Sequence, residues 1–309
     1  MATRQITVII NASSGAGCTA EWAKDVGEKF KAGGLDARVV LAKSGAEIID
    51  TAKRAVKDAC AIVVAGGGDG TINAVAGVLA GTGISFGVLP MGTLNHFARD
   101  LGIPAELDDA IANISTGQVV EVDAGEVNGS IFVNNSSLGL YPDIVRDREK
   151  QQRRLGRGKW LAFCWATLAA LRRFPFLNVR LSLNGDEHLR STPFVFIGNN
   201  EYKMEGFNIG ERERLNAGTL SLYVAQRPGR WGLLRLALHA LFGSLRQARD
   251  FDAVLAKEIV IETRRKRIRV ATDGEVNVME SPLRYRILPA ALRVIVPKPS
   301  SAGAEQAKD

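Results

Sequence analysis

Cysteine and histidine are almost missing from this chain, which has three of each among 309 residues. Cys18, Cys60 and Cys164 are odd in number and lack metal-ligand spacing, so neither a disulfide framework nor a zinc site is expected. Buried thiols in a reducing compartment are. A spanning hydrophobic helix is missing too: the longest uncharged stretch, Gly70 to Ala98, is interrupted by glycines, Pro90 and polar residues. The first apolar run, Ile6 to Ile10, is too short for a signal h-region, which makes cytoplasm the default expectation. No lysine followed by Ser or Thr closes a Walker A loop, and Thr71 stands where the third glycine of a dinucleotide fingerprint belongs. A disordered or fibrous chain as a whole is excluded by a 46% hydrophobic content.

What the chain does have is Gly66-Gly67-Gly68-Asp69-Gly70-Thr71, directly after the apolar run Cys60 to Ala65 and opening onto Ile72-Asn73-Ala74-Val75. A buried strand that ends in glycines and turns into a helix presents backbone N–H groups at the positive end of the helix dipole, which suits phosphate. A tight turn without ligand is the plainer reading of such a cluster. A second loop of the same kind follows the run Ile84 to Leu89: Pro90-Met91-Gly92-Thr93-Leu94-Asn95, then Phe97-Ala98-Arg99-Asp100. Two such loops in successive strand-helix units point to one nucleotide held between them.

The first 125 residues alternate apolar runs and helical patterns, as in a parallel α/β layer. Strands are expected over Gln5 to Asn11, Ala37 to Leu41, Cys60 to Ala65 and Ile84 to Leu89, with helices near Glu21 to Ala32, Ala46 to Lys57 and Thr71 to Leu79. From about Gln118 the texture changes to β-branched runs with the hairpin signals Asn128-Gly129, Asn184-Gly185 and Asp273-Gly274, which predicts an antiparallel sandwich over 126–297. Helical insertions are expected at Lys159 to Arg173 and Trp231 to Gln247, and a disordered tail over 298–309.

At these blocks the chain resembles the diacylglycerol kinase catalytic domain family, whose glycine-aspartate loop is shared with NAD kinases. The resemblance rests on Gly67-Gly68-Asp69-Gly70-Thr71, Pro90-x-Gly92-Thr93-x-Asn95-x-Phe97-Ala98, Asn134-Asn135-Ser136-Ser137-Leu138-Gly139 and Asp273-Gly274-Glu275. It implies an α/β nucleotide-binding domain followed by a β-sandwich lipid-substrate domain, the active site in the cleft between them, with a last strand able to return to the first domain. It further implies ATP and Mg²⁺ as cofactors.

Phosphoryl transfer to a hydroxyl needs a phosphate cradle, a cation and a carboxylate near the acceptor proton. Gly66, Gly67, Gly68, Asp69, Gly70, Thr71, Gly92 and Thr93 are the cradle candidates, with Asn73, Asn95 and Asn11 as hydrogen-bonding amides. The carboxylate contenders are Asp69, within the loop, and the pair Asp273 and Glu275. Read as residues alone, Asp273-Gly274 is first of all a type I′ turn, and strand geometry continued through it would send Asp273 and Glu275 to one side. The resemblance assigns the proton acceptor to Glu275, with Asp69 and Asp273 assisting metal and geometry. His96 is the less apt base, being a polar position inside the second loop.

The chain departs from the family in two respects. Ala217 and Ser221 stand where a structural magnesium site has carboxylates, so that site is expected to be absent or weak. Ala42 replaces a threonine that would offer a hydroxyl on the phosphate side.

Charge is asymmetric. Residues 1–125 hold 10 Lys+Arg against 14 Asp+Glu, while 126–309 hold 30 against 19. A basic second half suits a polyanionic partner. Nucleic acid is disfavoured, since no recognition motif accompanies the charge. An anionic membrane surface, met peripherally from the cytoplasmic side, fits a lipid substrate. The uncharged stretch Trp160 to Leu171, bracketed by Arg and Lys, reads as an interfacial helix or a buried one. Arg264-Arg265-Lys266-Arg267-Ile268-Arg269 is a second cationic segment. A soluble NAD kinase-like enzyme and a lipid-binding protein without catalysis are the alternative readings. The sequence fixes no oligomeric state, and a dimer is compatible with it.

Overall fold

The computed structural model describes residues 4–14, 18–139, 177–183, 186–192, 194–205, 208–212, 214–225 and 251–299. The expected helices at Lys159 to Arg173 and Trp231 to Gln247, the segment Trp160 to Leu171, the Asn184-Gly185 turn and most of the tail lie outside them. The chain falls into two compact units, Met1–Val122 with Ala290–Asp309, and Asp123–Pro289.

The first unit is a parallel sheet. Strands β1 (Arg4–Asn11), β2 (Leu35–Ala42), β3 (Ile62–Gly67) and β4 (Ser85–Pro90) run in the order β2-β1-β3-β4, and the C-terminal part of a long last strand, β18 (Leu283–Val296), adds beside β4 in parallel. Between them lie helices α1 (Ala20–Ala32), α2 (Gly45–Lys57) and α3 (Asp69–Leu79), then α4 (His96–Asp100) and α5 (Leu107–Thr116). Every residue of β3 is buried, as expected of a central strand covered on both faces. The start of α2 is fixed by Ser44, whose hydroxyl accepts the Glu47 N–H at 3.2 Å, while the Glu47 carboxylate takes the Lys43 N–H at 2.8 Å. Such a cap contributes about 1 kcal/mol. The core gathers Ile6, Val8, Ile10, Phe30, Val64, Leu89, Ile111 and Ile295.

The second unit is antiparallel. It takes up the end of β5 (Gln118–Val127) and then β6 (Ser130–Phe132), β7 (Asn135–Gly139), β8 (Leu177–Leu183), β9 (Asp186–Thr192), β10 (Phe194–Asn199), β11 (Tyr202–Glu205), β12 (Asn208–Arg212), β13 (Leu220–Ala225), β14 (Phe251–Ala256), β15 (Glu258–Thr263), β16 (Arg267–Thr272) and β17 (Glu275–Glu280). One layer runs β14-β13-β10-β7-β16-β17; the other includes the first part of β18 with β15, β8 and β9. Their inward residues share one core, Leu138, Val195, Ile197, Leu222 and Val270 from the first layer meeting Val179, Ile259, Ile261 and Tyr285 from the second. The turns at Asn128-Gly129 and Asp273-Gly274 carry positive φ at both residues, as a type I′ hairpin requires.

Strand β18 crosses from one unit to the other at Ala290, whose φ of 50° interrupts extended geometry just after Pro289. No helix among the described residues is long and apolar enough to cross a membrane.

Candidate functional site

In the first unit the two glycine loops touch. Gly68 is the N-cap of α3, so no side chain occupies the cap position, and the opening N–H groups of a helix have no partner within it. A Cβ on Gly92 would stand 2.6 Å from the Gly68 Cα and 2.7 Å from the Asn95 side-chain oxygen. That closeness, not a positive φ, demands glycine here. Gly67 is held to glycine by its own helix, a Cβ there meeting Thr71 Oγ1 at 2.6 Å. Gly66 and Gly67 lie in β3, while Gly68 and Gly70 are half-buried at the loop surface.

Three side chains organise the loops. Asn95, in the left-handed region with φ of 49°, accepts the Gly92 N–H at 2.9 Å and donates to the Gly92 carbonyl at 2.9 Å. Its own N–H donates to Asp69 Oδ2 at 3.0 Å. Asn11, at the end of β1, donates to Thr71 Oγ1 at 3.1 Å and accepts the Ser13 N–H at 3.0 Å. Thr93 and His96 are exposed. Ala42, paired with Asn11 across β1 and β2, is a fully buried methyl.

Among the described residues of this unit four side-chain oxygens are buried without a protein partner, Asn113 Oδ1, Ser115 Oγ and, at the glycine loops, Asp69 Oδ1 and Asn73 Oδ1 of α3. The latter two are the ones at the phosphate loop. They sit four residues apart on α3, hence on one helix face. A carboxylate at a phosphate loop repels the ligand unless a cation stands between them, and a carboxylate with an amide oxygen is the hard donor set that Mg²⁺ prefers. The residues present therefore fit such an ion. Among the described residues no group of three or more His, Cys, Asp or Glu comes together.

In the second unit Asp273 and Glu275 do not point the same way. Asp273 lies inside the turn with φ of 47°, before β17 begins, so period 2 does not apply through it. Its carboxylate accepts the N–H groups of Val133 at 2.8 Å, Asn134 at 2.8 Å and Asn135 at 2.9 Å. Burial pushes its carboxyl from 3.8 up to about 6, against the opposing pull of those three N–H groups and of the Arg212 charge. Glu275, the first residue of β17, is exposed.

Around the same bend lies a buried polar cluster of which the sequence motifs announce Asn134 but not Arg212 or Asn199. Arg212 donates to the Val133 carbonyl at 2.6 Å and to Asn134 Oδ1 at 2.8 Å, with its guanidinium 5.3 Å from the Tyr202 ring centroid. Asn199 donates to the carbonyls of Asp123 at 2.8 Å and Val133 at 2.9 Å. Ser221 donates to the Asn200 carbonyl at 2.6 Å, and the Ala217 N–H goes to Asn200 Oδ1 at 2.9 Å. The positions singled out for their missing carboxylates are thus engaged within the protein. Arg212 sits among charged neighbours, Glu211 and Arg214, with no local pattern to mark it as buried; the Asn199-Asn200 doublet ending an apolar run was the legible clue.

Two family models match this chain. The diacylglycerol kinase catalytic domain matches residues 5–127, and the YegS C-terminal NAD kinase beta sandwich-like domain matches 142–296. A protein named "Diacylglycerol kinase" from Mycobacterium tuberculosis (strain ATCC 25618 / H37Rv) is 28% identical, the match covering 95% of this chain and 96% of that one. "Probable lipid kinase YegS" from Salmonella newport is 30% identical over 85% of this chain and 86% of its own length. In fold, a crystal structure of a diacylglycerol kinase from Bacillus anthracis str. Sterne superposes with a TM-score of 0.71 at 21% identity, covering 97% of this chain and 99% of that one. The chain belongs to the diacylglycerol kinase catalytic domain family of lipid kinases.

Proposed function

We propose that the protein transfers the γ-phosphoryl group of ATP to a hydroxyl of diacylglycerol or a related lipid. The observation that carries this reading is the pair of touching glycine loops whose single carboxylate, Asp69, keeps one oxygen free of protein partners. The loop N–H groups and the α3 terminus bind the phosphates, with Asn11, Thr71 and Asn95 holding the loops in shape. A divalent cation, Mg²⁺, when bound supplies charge neutralisation on the phosphate oxygens, and Asp69 and Asn73 are the residues that would hold it. Glu275 takes the proton from the lipid hydroxyl as its oxygen attacks the γ-phosphorus, and ADP leaves.

A lipid substrate keeps its acyl chains in the bilayer, because each CH₂ brought into water costs about 0.8 kcal/mol. The enzyme therefore works peripherally at the cytoplasmic face of an anionic membrane. The described surface offers the exposed cations Arg264, Arg265 and Lys266 in the turn between β15 and β16. Incubation with labelled ATP, magnesium and a panel of lipid extracts tests the reading. A labelled phospholipid is expected, lost by about 100-fold or more in Glu275→Gln. Labelling of NAD with no labelled lipid would overturn it in favour of a soluble kinase.

A further inference from the structure

The side chain of Asp273 does something a hairpin turn does not require. In a type I′ turn the first central residue needs only a positive φ, which Asp tolerates, and its side chain is free to face water. Here it turns back onto a neighbouring loop and takes three consecutive N–H groups, those of Val133, Asn134 and Asn135, while its own N–H donates to the Asn135 carbonyl at 2.9 Å. With three strong bonds already accepted, this carboxylate is poorly disposed to serve as a metal ligand or a proton acceptor.

The opposite side of that segment is held by a cation. Arg212 donates to the Val133 carbonyl, to the Asn134 side chain and, at 3.3 Å, to the Asn199 carbonyl. An anion thus grips the N–H side of residues 133–135 and a buried guanidinium grips the carbonyl side. Asn199 adds a further bond to Val133. Burying a guanidinium is costly unless the geometry serves a purpose beyond stability, and the turn tied to this bend is the one that leads into Glu275, two positions after Asp273.

We propose that Asp273 and Arg212 are a positioning pair: through the Val133–Asn135 bend they fix the Asp273-Gly274 turn and hence the place of Glu275. The inference rests on Glu275 being the proton acceptor. It makes Asp273 a clamp and not a group that meets substrate or metal, and it gives Arg212 a task in the reaction although it touches neither.

Positioning has signatures that a plain structural role lacks. In Asp273→Asn the amide still accepts with one oxygen, but its NH₂ opposes the Val133 N–H. Turnover should fall about 10- to 100-fold, the scale of a misplaced group, with the KM for ATP and the magnesium requirement unchanged. Arg212→Lys keeps the charge and loses the fork; it should show a smaller loss of the same kind, and it keeps the test open if the first variant folds poorly. Added to Glu275→Gln, neither change should lower the residual rate further, because a base that is gone cannot be misplaced. A raised magnesium requirement, or losses that multiply with that of Glu275→Gln, would overturn the proposal. A second readout needs no activity. Amide hydrogen exchange at Val133, Asn134, Asn135 and Glu275 should quicken about 10-fold or more in Asp273→Asn, while Val195 and Leu222 stay protected. Unchanged exchange at those four amides removes the clamp even if turnover falls. If wild type labels no lipid, the assignment of function fails, and exchange alone decides the clamp.

Discussion

Asp69 accepts the main-chain N–H of Asn95 at 3.0 Å, across 26 residues of sequence, so the first residue of α3 is tied to the residue that opens α4. One carboxylate oxygen is thereby committed to loop architecture, and the other is buried with no protein partner. The two jobs are separable by substitution. Asp69→Asn keeps an oxygen for the Asn95 N–H and loses the charge, so melting should change little while turnover falls about 100-fold or more. Asp69→Ala loses both, and should add about 1 kcal/mol of destabilisation for the broken bond. Thermal melts beside initial rates would show it; equal melts for the two variants would mean that the Asn95 bond does not hold the loop.

Gly92 offers a test of the loop contact itself. A methyl group there meets main-chain atoms of Gly68, which cannot swing aside as a side-chain end would. Gly92→Ala should destabilise by about 1–3 kcal/mol and weaken ATP binding together with it. Gly45, at the start of α2 with nothing within 4 Å of an added Cβ, is the matched control. Gly45→Ala should be neutral or stabilising by about 0.4–1 kcal/mol. Urea midpoints for the two proteins decide it, and a harmless Gly92→Ala would show that the loops do not depend on this contact.

The first unit was largely legible because its elements are long, buried and regular. Ile62 to Ala65 could hardly be anything but a central strand, and the loop after it carries its motif in consecutive residues. The sequence expectations omit helix α5 although Ala110, Ile111 and Ile114 are buried at helical spacing, since Glu106 stands at its N-cap without a side-chain cap bond in place of Ser, Thr, Asp or Asn, and only Asp108 and Asp109 in the first turn hint at the start. In the second unit the run Ile131 to Ser136 has the pattern of one strand but is broken by the bend at Val133 and Asn134 that Asp273 and Arg212 hold. Strand β9 has the polar composition Asp186-Glu187-His188-Leu189-Arg190-Ser191-Thr192, which no apolar alternation betrays. What local pattern could not reveal was direction: Asp273-Gly274 reads alike whether the carboxylate faces water or three N–H groups.

That direction has a consequence for pH. The Asp273 carboxyl is pushed from 3.8 up to about 6 by burial. Between about pH 4 and 6 the folded protein therefore holds a proton that the unfolded chain has released, and stability from this group falls as pH rises across that window. The full span is worth about 3 kcal/mol at 1.36 kcal/mol per pKa unit. Asp273→Asn cannot titrate. The unfolding free energy of wild type minus that of the variant should decline from pH 4 to 6 and be level above 7. A difference that rises with pH would mean that the three N–H bonds and Arg212 outweigh burial.

Membrane attachment is testable on the turn between β15 and β16. Its backbone is pinned, since the Thr263 hydroxyl donates to the Arg265 carbonyl at 2.8 Å and the Ser281 N–H donates to the Lys266 carbonyl at 2.9 Å. Arg264, Arg265 and Lys266 are consequently presented on a fixed frame, so substituting them should disturb charge without unfolding the strands. Each cation near an anionic leaflet contributes about 1 kcal/mol, so replacing all three by Ser should weaken binding to anionic vesicles by up to about 100-fold at low salt. Screening works in the same direction: the Debye length drops from about 10 Å at 0.1 M to about 3 Å at 1 M salt, and wild-type binding should fade over that range. Co-sedimentation with anionic and neutral vesicles at graded salt separates the outcomes. If the triple variant binds as tightly as wild type, the contact lies on another part of the chain, with Trp160 to Leu171 the next segment to substitute. If wild type shows no preference for anionic over neutral vesicles, the basic half of the protein serves some purpose other than membrane attachment.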